Sequence, residues 1–143
     1  MMRRIYIGHP LVGDGSCEWG NMARNVERYL RFCAMFTNAG HTVVSWVHHY
    51  LMHERKLTTG NADFYLERDA KLIAGSDIFV QAAPASVSNG LQFEIAEAKR
   101  LFLPVLYRAE WQYPHYYPEV LTPARDVSAW IDNARTGGRH RER

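Results

Sequence analysis

The sequence predicts an α/β fold: a single domain built on a doubly wound parallel sheet of four to five strands with flanking helices. Three observations lead there. β-Branched and aromatic runs alternate with segments of helical periodicity, in the order strand, helix, strand, helix, strand, helix, strand. Gly40 and Gly75 end two of the helical patterns just before the next strand begins. The segments after the first and third strands are loops of small and polar residues, at the edge where such sheets bind ligands.

Arg4 to Gly8 is the first strand, and His9 to Gly20 is a loop carrying Gly13, Gly15, Asp14 and Ser16. From Asn21 to Asn38, Met22, Val26, Tyr29, Leu30, Cys33 and Phe36 recur at three- and four-residue steps, the spacing of one buried helix face. His41 to Trp46 is the second strand by its β-branched content. Val47 to Asn61 reads as a partial helix followed by a loop at Thr58-Thr59-Gly60. A clear helix spans Ala62 to Ala74. Asp77 to Gln81 is the third strand, and Ala82 to Val87 is its loop. A helix then starts near Ser88 and runs to about Phe102, with Leu91, Ile95, Ala98 and Phe102 on the sheet-facing stripe. Pro104 to Tyr107 is the fourth strand. Trp111 to Tyr117, interrupted by Pro114, is a loop. The last helix, about 124–134, carries Val127, Trp130 and Ile131 on one face. The domain is expected over 1–134, with 135–143 a mobile basic tail. Such an order suits a Rossmann- or flavodoxin-like sheet.

The 143 residues, 47% apolar and 22% charged, fit one soluble domain. No apolar run approaches the roughly 20 residues of a membrane span. Ile5-Tyr6-Ile7 is too short for the core of a signal peptide, so a cytoplasmic location and no membrane partner are expected. A formal net charge of +2 gives no case for binding a nucleic-acid polymer. Cys17 and Cys33 match no disulfide or metal framework and read as reduced thiols.

Glu94 is the most informative residue. It lies three positions after Leu91, at the border of the buried stripe and in the second helical turn, near the strands' carboxyl edge. A carboxylate there is partly desolvated unless a donor or ligand meets it. The alternative is a Glu that reaches solvent or pairs with Lys99. Ser88 suits the helix N-cap, and Gly90 permits close backbone approach, so Ser86, Ser88, Asn89 and Gly90 form a candidate anion-binding turn. An ordinary capped helix explains the same residues. Neither this turn nor Gly13-Asp14-Gly15 matches a phosphate-binding glycine fingerprint. Asp69 lies beside Arg68, a possible surface pair, and Asp77 opens a strand. Tyr6 either has its hydroxyl satisfied in the core or faces the cleft. His48, His49 and His53 lack the acidic or cysteine neighbours of a metal site, so no metal and no cofactor are expected.

Taken together, the segments resemble the nucleoside 2-deoxyribosyltransferase superfamily over roughly residues 3 to 107, closest to its small phage-associated branch. The resemblance rests on Arg4-Ile5-Tyr6-Ile7-Gly8-His9-Pro10, Asn25, Ala39-Gly40-His41-Thr42-Val43-Val44, Arg68-Asp69 and Gly75-Ser76-Asp77. It continues through Ser88-Asn89-Gly90 with Glu94 and Leu103-Pro104-Val105-Leu106. It implies that Glu94 attacks the anomeric carbon, that Asp69 binds and protonates the base, and that Tyr6 orients the nucleophile. Serine at position 88, where transferases on free nucleosides carry aspartate, is similar to the branch acting on nucleoside 5′-monophosphates. The expected substrate contacts are His9, Ser86, Ser88, Asn89, Gly90 and Asp77. Trp111, Tyr113 and Tyr116 either stack on a base or pack at a subunit interface.

The expectation is therefore an N-glycosidic-bond hydrolase or (deoxy)ribosyltransferase acting on a nucleoside or nucleotide, and a homodimer or larger assembly. The rival is a nucleotide sensor without turnover that uses the same cleft. A more distant one is a structural subunit with a vestigial cleft.

Overall fold

The computed structural model describes residues 2–12 and 18–141, with side chains as far as residue 136. Asp14, Ser16, Cys17 and the neighbouring glycines at 13 and 15 lie outside the described residues. Four strands, β1 (Arg4–Gly8), β2 (Thr42–Val44), β3 (Ile78–Gln81) and β4 (Val105–Leu106), form an all-parallel sheet in the order β2-β1-β3-β4. Five helices flank it: α1 (Met22–Asn38), α2 (Val47–Glu54), α3 (Ala62–Ala74), α4 (Asn89–Arg100) and α5 (Ala124–Arg141). Short 3₁₀ turns occupy Ala85–Val87 and Ala109–Gln112. The fold is a single-domain α/β sheet of the Rossmann or flavodoxin kind.

The chain steps one way from β1 to β2 and the other way from β2 to β3. Right-handed crossovers therefore put α1 on one face of the sheet and α2, α3 and α4 on the other. After β1 and β3 the chain leaves toward opposite faces, so the topological switch point at which such folds bind ligands falls between these two strands. Period-two alternation in β1 sends Tyr6 and Gly8 toward α4, and Ile5 and Ile7 toward α1. The Tyr6 ring stacks on Phe79 at 5.6 Å. Gly8 is required by packing: a Cβ there would meet Phe79 at 2.5 Å and Leu91 at 2.7 Å.

Asn21, Asn61 and Ser88 cap α1, α3 and α4 by accepting a backbone N–H with their side chains. Three helix ends share one closing geometry. Gly40, Lys56 and Phe102 take positive φ of 92°, 55° and 58°. The next N–H in each case reaches back five residues, to Phe36, Met52 and Ala98.

Several elements differ from the sequence expectation. The face of α1 that is buried is Asn25, Arg28, Tyr29, Phe32, Met35 and Phe36, while Met22, Val26 and Leu30 are exposed. The helix is rotated because Asn25 and Arg28 find polar partners inside. Phe102 does not continue the buried stripe of α4; it occupies the left-handed turn and is 86% exposed. Strand β2 ends at Val44, because Trp46 turns inward and its Nε1–H donates to the Ile7 carbonyl at 2.8 Å. Trp111 is fully buried against Phe32 and Trp130, neither a stacking platform nor an exposed interface residue. Helix α5 runs on to Arg141 rather than ending near 134.

Candidate functional site

Tyr6 on β1 and Glu94 on α4 meet on the α4 face of the sheet. Both are buried, and the Tyr6 hydroxyl donates to Glu94 Oε2. The Glu94 carboxyl is pushed up to about 8, chiefly by burial; the negative charge of Asp69 adds to this and the tyrosine hydrogen bond opposes it. The Tyr6 phenol is raised well above its ordinary value by burial and by the neighbouring carboxylates, so it remains a donor. Glu94 neither reaches solvent nor pairs with Lys99. A four-residue α-helical offset from Gly90 to Glu94, behind the Ser88 cap, fixes its place relative to β1.

Asp69, on the buried side of α3, completes the cluster. His49 Nδ1–H donates to Asp69 Oδ1 at 2.5 Å, and both side chains are largely buried. Burial raises the Asp69 carboxyl, and the histidine pulls it back. Arg68 does not pair with Asp69; its guanidinium lies over the Phe64 ring at 4.1 Å. Tyr6, Glu94, Asp69 and His49, from four separate elements, thus form one buried acidic and imidazole cluster. The sequence singled out His49 only as a metal candidate. Among the described residues no group of three or more His, Cys, Asp or Glu is placed to hold a metal ion.

His9, expected to touch substrate, is buried within the rim. Its Nδ1–H donates to the Pro10 carbonyl at 2.6 Å, and Nε2 accepts from Arg28 at 3.0 Å. Burial, with the Arg28 charge, lowers its pKa to about 3, so the ring is neutral. No motif in the sequence marks Arg28. It is fully buried and has no carboxylate partner among the described residues. Its guanidinium donates to the carbonyls of Ala82, Trp111 (2.9 Å), Tyr113 (3.4 Å) and Tyr116 (2.7 Å) as well as to His9. Five N–H groups meet five acceptors, which binds three loops into one rim. The available signal was positional, since Arg28 shares a helical stripe with Asn25, Tyr29, Phe32 and Met35.

The α4 turn is open. Ser86 and Asn89 are exposed, Ser88 and Gly90 half-buried, and the Ser88 hydroxyl accepts the Leu91 N–H at 3.3 Å. Asp77 is not part of the cluster. It sits at the amino end of β3, at the opposite edge of the sheet, where its carboxylate accepts the Arg4 N–H at 2.7 Å. Its role is to join the starts of two strands. Asn25 holds the β1 loop from below, its Nδ2 donating to the carbonyls of Leu11 (2.9 Å) and Trp19 (2.8 Å).

No family model and no curated protein matches the chain significantly. No helix among the described residues is long and apolar enough to cross a membrane.

Proposed function

We propose that this chain cleaves the N-glycosidic bond of a (deoxy)nucleoside or its 5′-monophosphate, with Glu94 as nucleophile. The observation that carries the reading is the buried Glu94 carboxyl held by the Tyr6 hydroxyl at the sheet's carboxyl edge, with the Asp69–His49 pair beside it. The resemblance described above assigns the same three acidic and phenolic residues these roles.

The chemistry follows from that arrangement. Tyr6 engages one Glu94 oxygen and leaves the other to attack C1′. The C1′–N bond breaks with its electron pair going to the base, and the carboxylate stabilises the developing oxocarbenium charge before trapping it as an ester. Asp69 and His49 deliver a proton to the departing base, an assistance of about 10²–10⁴-fold in such reactions. Water, or a second base, then attacks C1′ and frees the carboxylate. The open Ser86, Ser88 and Asn89 turn, at the start of α4, receives the 5′-phosphate. The assembly is expected to be a homodimer or larger.

The test is incubation with a panel of mononucleotides and nucleosides, followed by chromatography for free base. Release is expected to rise with pH toward about 8, as Glu94 ionises, and to vanish in Glu94→Gln. Release unchanged by that substitution would refute the nucleophile. Nucleotide binding with no release by the native chain would instead leave a sensor.

A further inference from the structure

The Glu94 cluster is closed. Glu94 is only 6% exposed, Tyr6 is fully buried, and Asp69 is buried and bonded to His49. The Asp69 charge is felt by both Glu94 and Tyr6, so the three lie together. A carboxyl that reacts with a sugar carbon needs a face that a nucleoside can reach, so part of the surrounding structure has to move.

Four elements supply the cluster, and they are held very unequally. β1 lies inside the sheet, between β2 and β3. α4 packs on β1, β3 and β4 as well as on α3. α2 rests chiefly on α3. Of the eight residues of α2 only His49 is buried, while Val47 and Tyr50 border the core. Its ties to α3 converge on Asp69 and Tyr65, one helical turn apart. His49 donates to Asp69, and the rings of His49 and His53 lie 6.2 Å and 5.2 Å from that of Tyr65. The Tyr65 hydroxyl also bonds Thr58, in the loop after α2.

Both flanks of α2 suit a hinge. Before it, Trp46 is pinned by its bond to the Ile7 carbonyl and gives the helix no side-chain cap. After it, residues 55–59 are all exposed. An element with little buried apolar surface opens locally, at a free energy well below that of global unfolding. We propose that α2 is a lid on the Glu94 cluster, hinged at Ser45-Trp46 and at 55–59 and latched by the hydrogen bond from His49 to Asp69. Lifting α2 draws the imidazole off Asp69 and uncovers that side of the cluster; closing restores the pair and excludes water. The use of this motion, to admit a nucleoside and shut behind it, rests on the glycosidic reading; the hinge and the latch do not.

Hydrogen exchange of the full chain, followed by mass spectrometry without any nucleotide, tests the lid. Amides of α2 are expected to exchange as a unit, at least about tenfold faster than those of α1 and α4. His49→Phe keeps a ring against Tyr65 but has no N–H for Asp69. In that variant α2 should exchange about tenfold faster again, while α1 and α4 keep their native rates. Asp69→Asn retains an oxygen acceptor and should change α2 less. Carbodiimide labelling of Glu94, read by peptide mapping, should rise in His49→Phe in step with α2 exchange. Should all three helices speed up together, the native-chain comparison and Asp69→Asn decide. Native α2 amides that exchange no faster than α1 and α4 would overturn the lid, as would Glu94 labelling that stays flat while α2 opens. An unchanged α2 rate in His49→Phe would overturn the latch. No substrate is present in these measurements, so their failure is distinguishable from a failure of base release.

Discussion

Glu94 and Arg28 are ionisable side chains held in the interior, one on each face of the sheet. A carboxyl whose pKa rises from 4.5 to about 8 on folding keeps its proton in the native state while the unfolded chain has lost it. Stability therefore falls as pH climbs from the unfolded value toward the folded one, by an amount on the order of 3–5 kcal/mol. Glu94→Gln keeps the acceptor for Tyr6 and removes the titration. It should melt at the same temperature as the native chain near pH 4 and progressively higher by pH 8; equal melting at both ends would contradict the buried, protonated carboxyl. Arg28 works the other way. Removing its guanidinium strands four carbonyls and the His9 nitrogen, so Arg28→Leu should lose at least about 3 kcal/mol in urea unfolding. A loss below about 1 kcal/mol would mean that water reaches the rim and replaces it.

At the level of elements, the end of α4 combines a local misfit with a global fit. Phe102 holds the left-handed turn that lets Leu103 reach back to Ala98 and aims the chain into β4. An L residue pays about 1–2 kcal/mol for that backbone, and an 86% exposed ring recovers little of it by burial. Phe102→Gly should therefore stabilise the fold, by about 0.5–1 kcal/mol after the extra freedom of glycine in the unfolded chain is subtracted. Thermal melts with unchanged circular dichroism would show it. A destabilised variant would mean that the ring is covered in solution. Helix α1 presents a related case. Its apolar residues fit a helical period on two faces, and only the partners available to Asn25 and Arg28 choose which face turns inward.

Across the whole molecule, two buried groups at the same sheet edge set opposite pH limits. His9 is held neutral with its pKa near 3, below the 6.5 of an exposed ring, so its contribution is present above about 6.5 and is lost as pH falls toward 3. Glu94 destabilises over the range from 4.5 to about 8. Between about 4.5 and 6.5 the two slopes cancel. Stability measured by denaturant should show a plateau there, declining in acid because of His9 and in base because of Glu94. His9→Gln should flatten the acid limb alone. A single maximum near neutrality with no plateau would count against this pairing.

The alternation of apolar periods and the glycine, asparagine and serine caps determined the class of fold, because local backbone preferences and burial patterns are written residue by residue. The helical stripe also marked Glu94 at the border of the buried face of α4, while Tyr6 and Asp69 were assigned beside it only by the resemblance. The tertiary structure alone decided that His49 reaches Asp69, that His9 is a buried partner of Arg28, and that Asp77 joins strands at the far edge. Those outcomes depend on which side chains from distant segments arrive within hydrogen-bond range. Periodicity along one chain segment carries no information about what another segment brings to meet it.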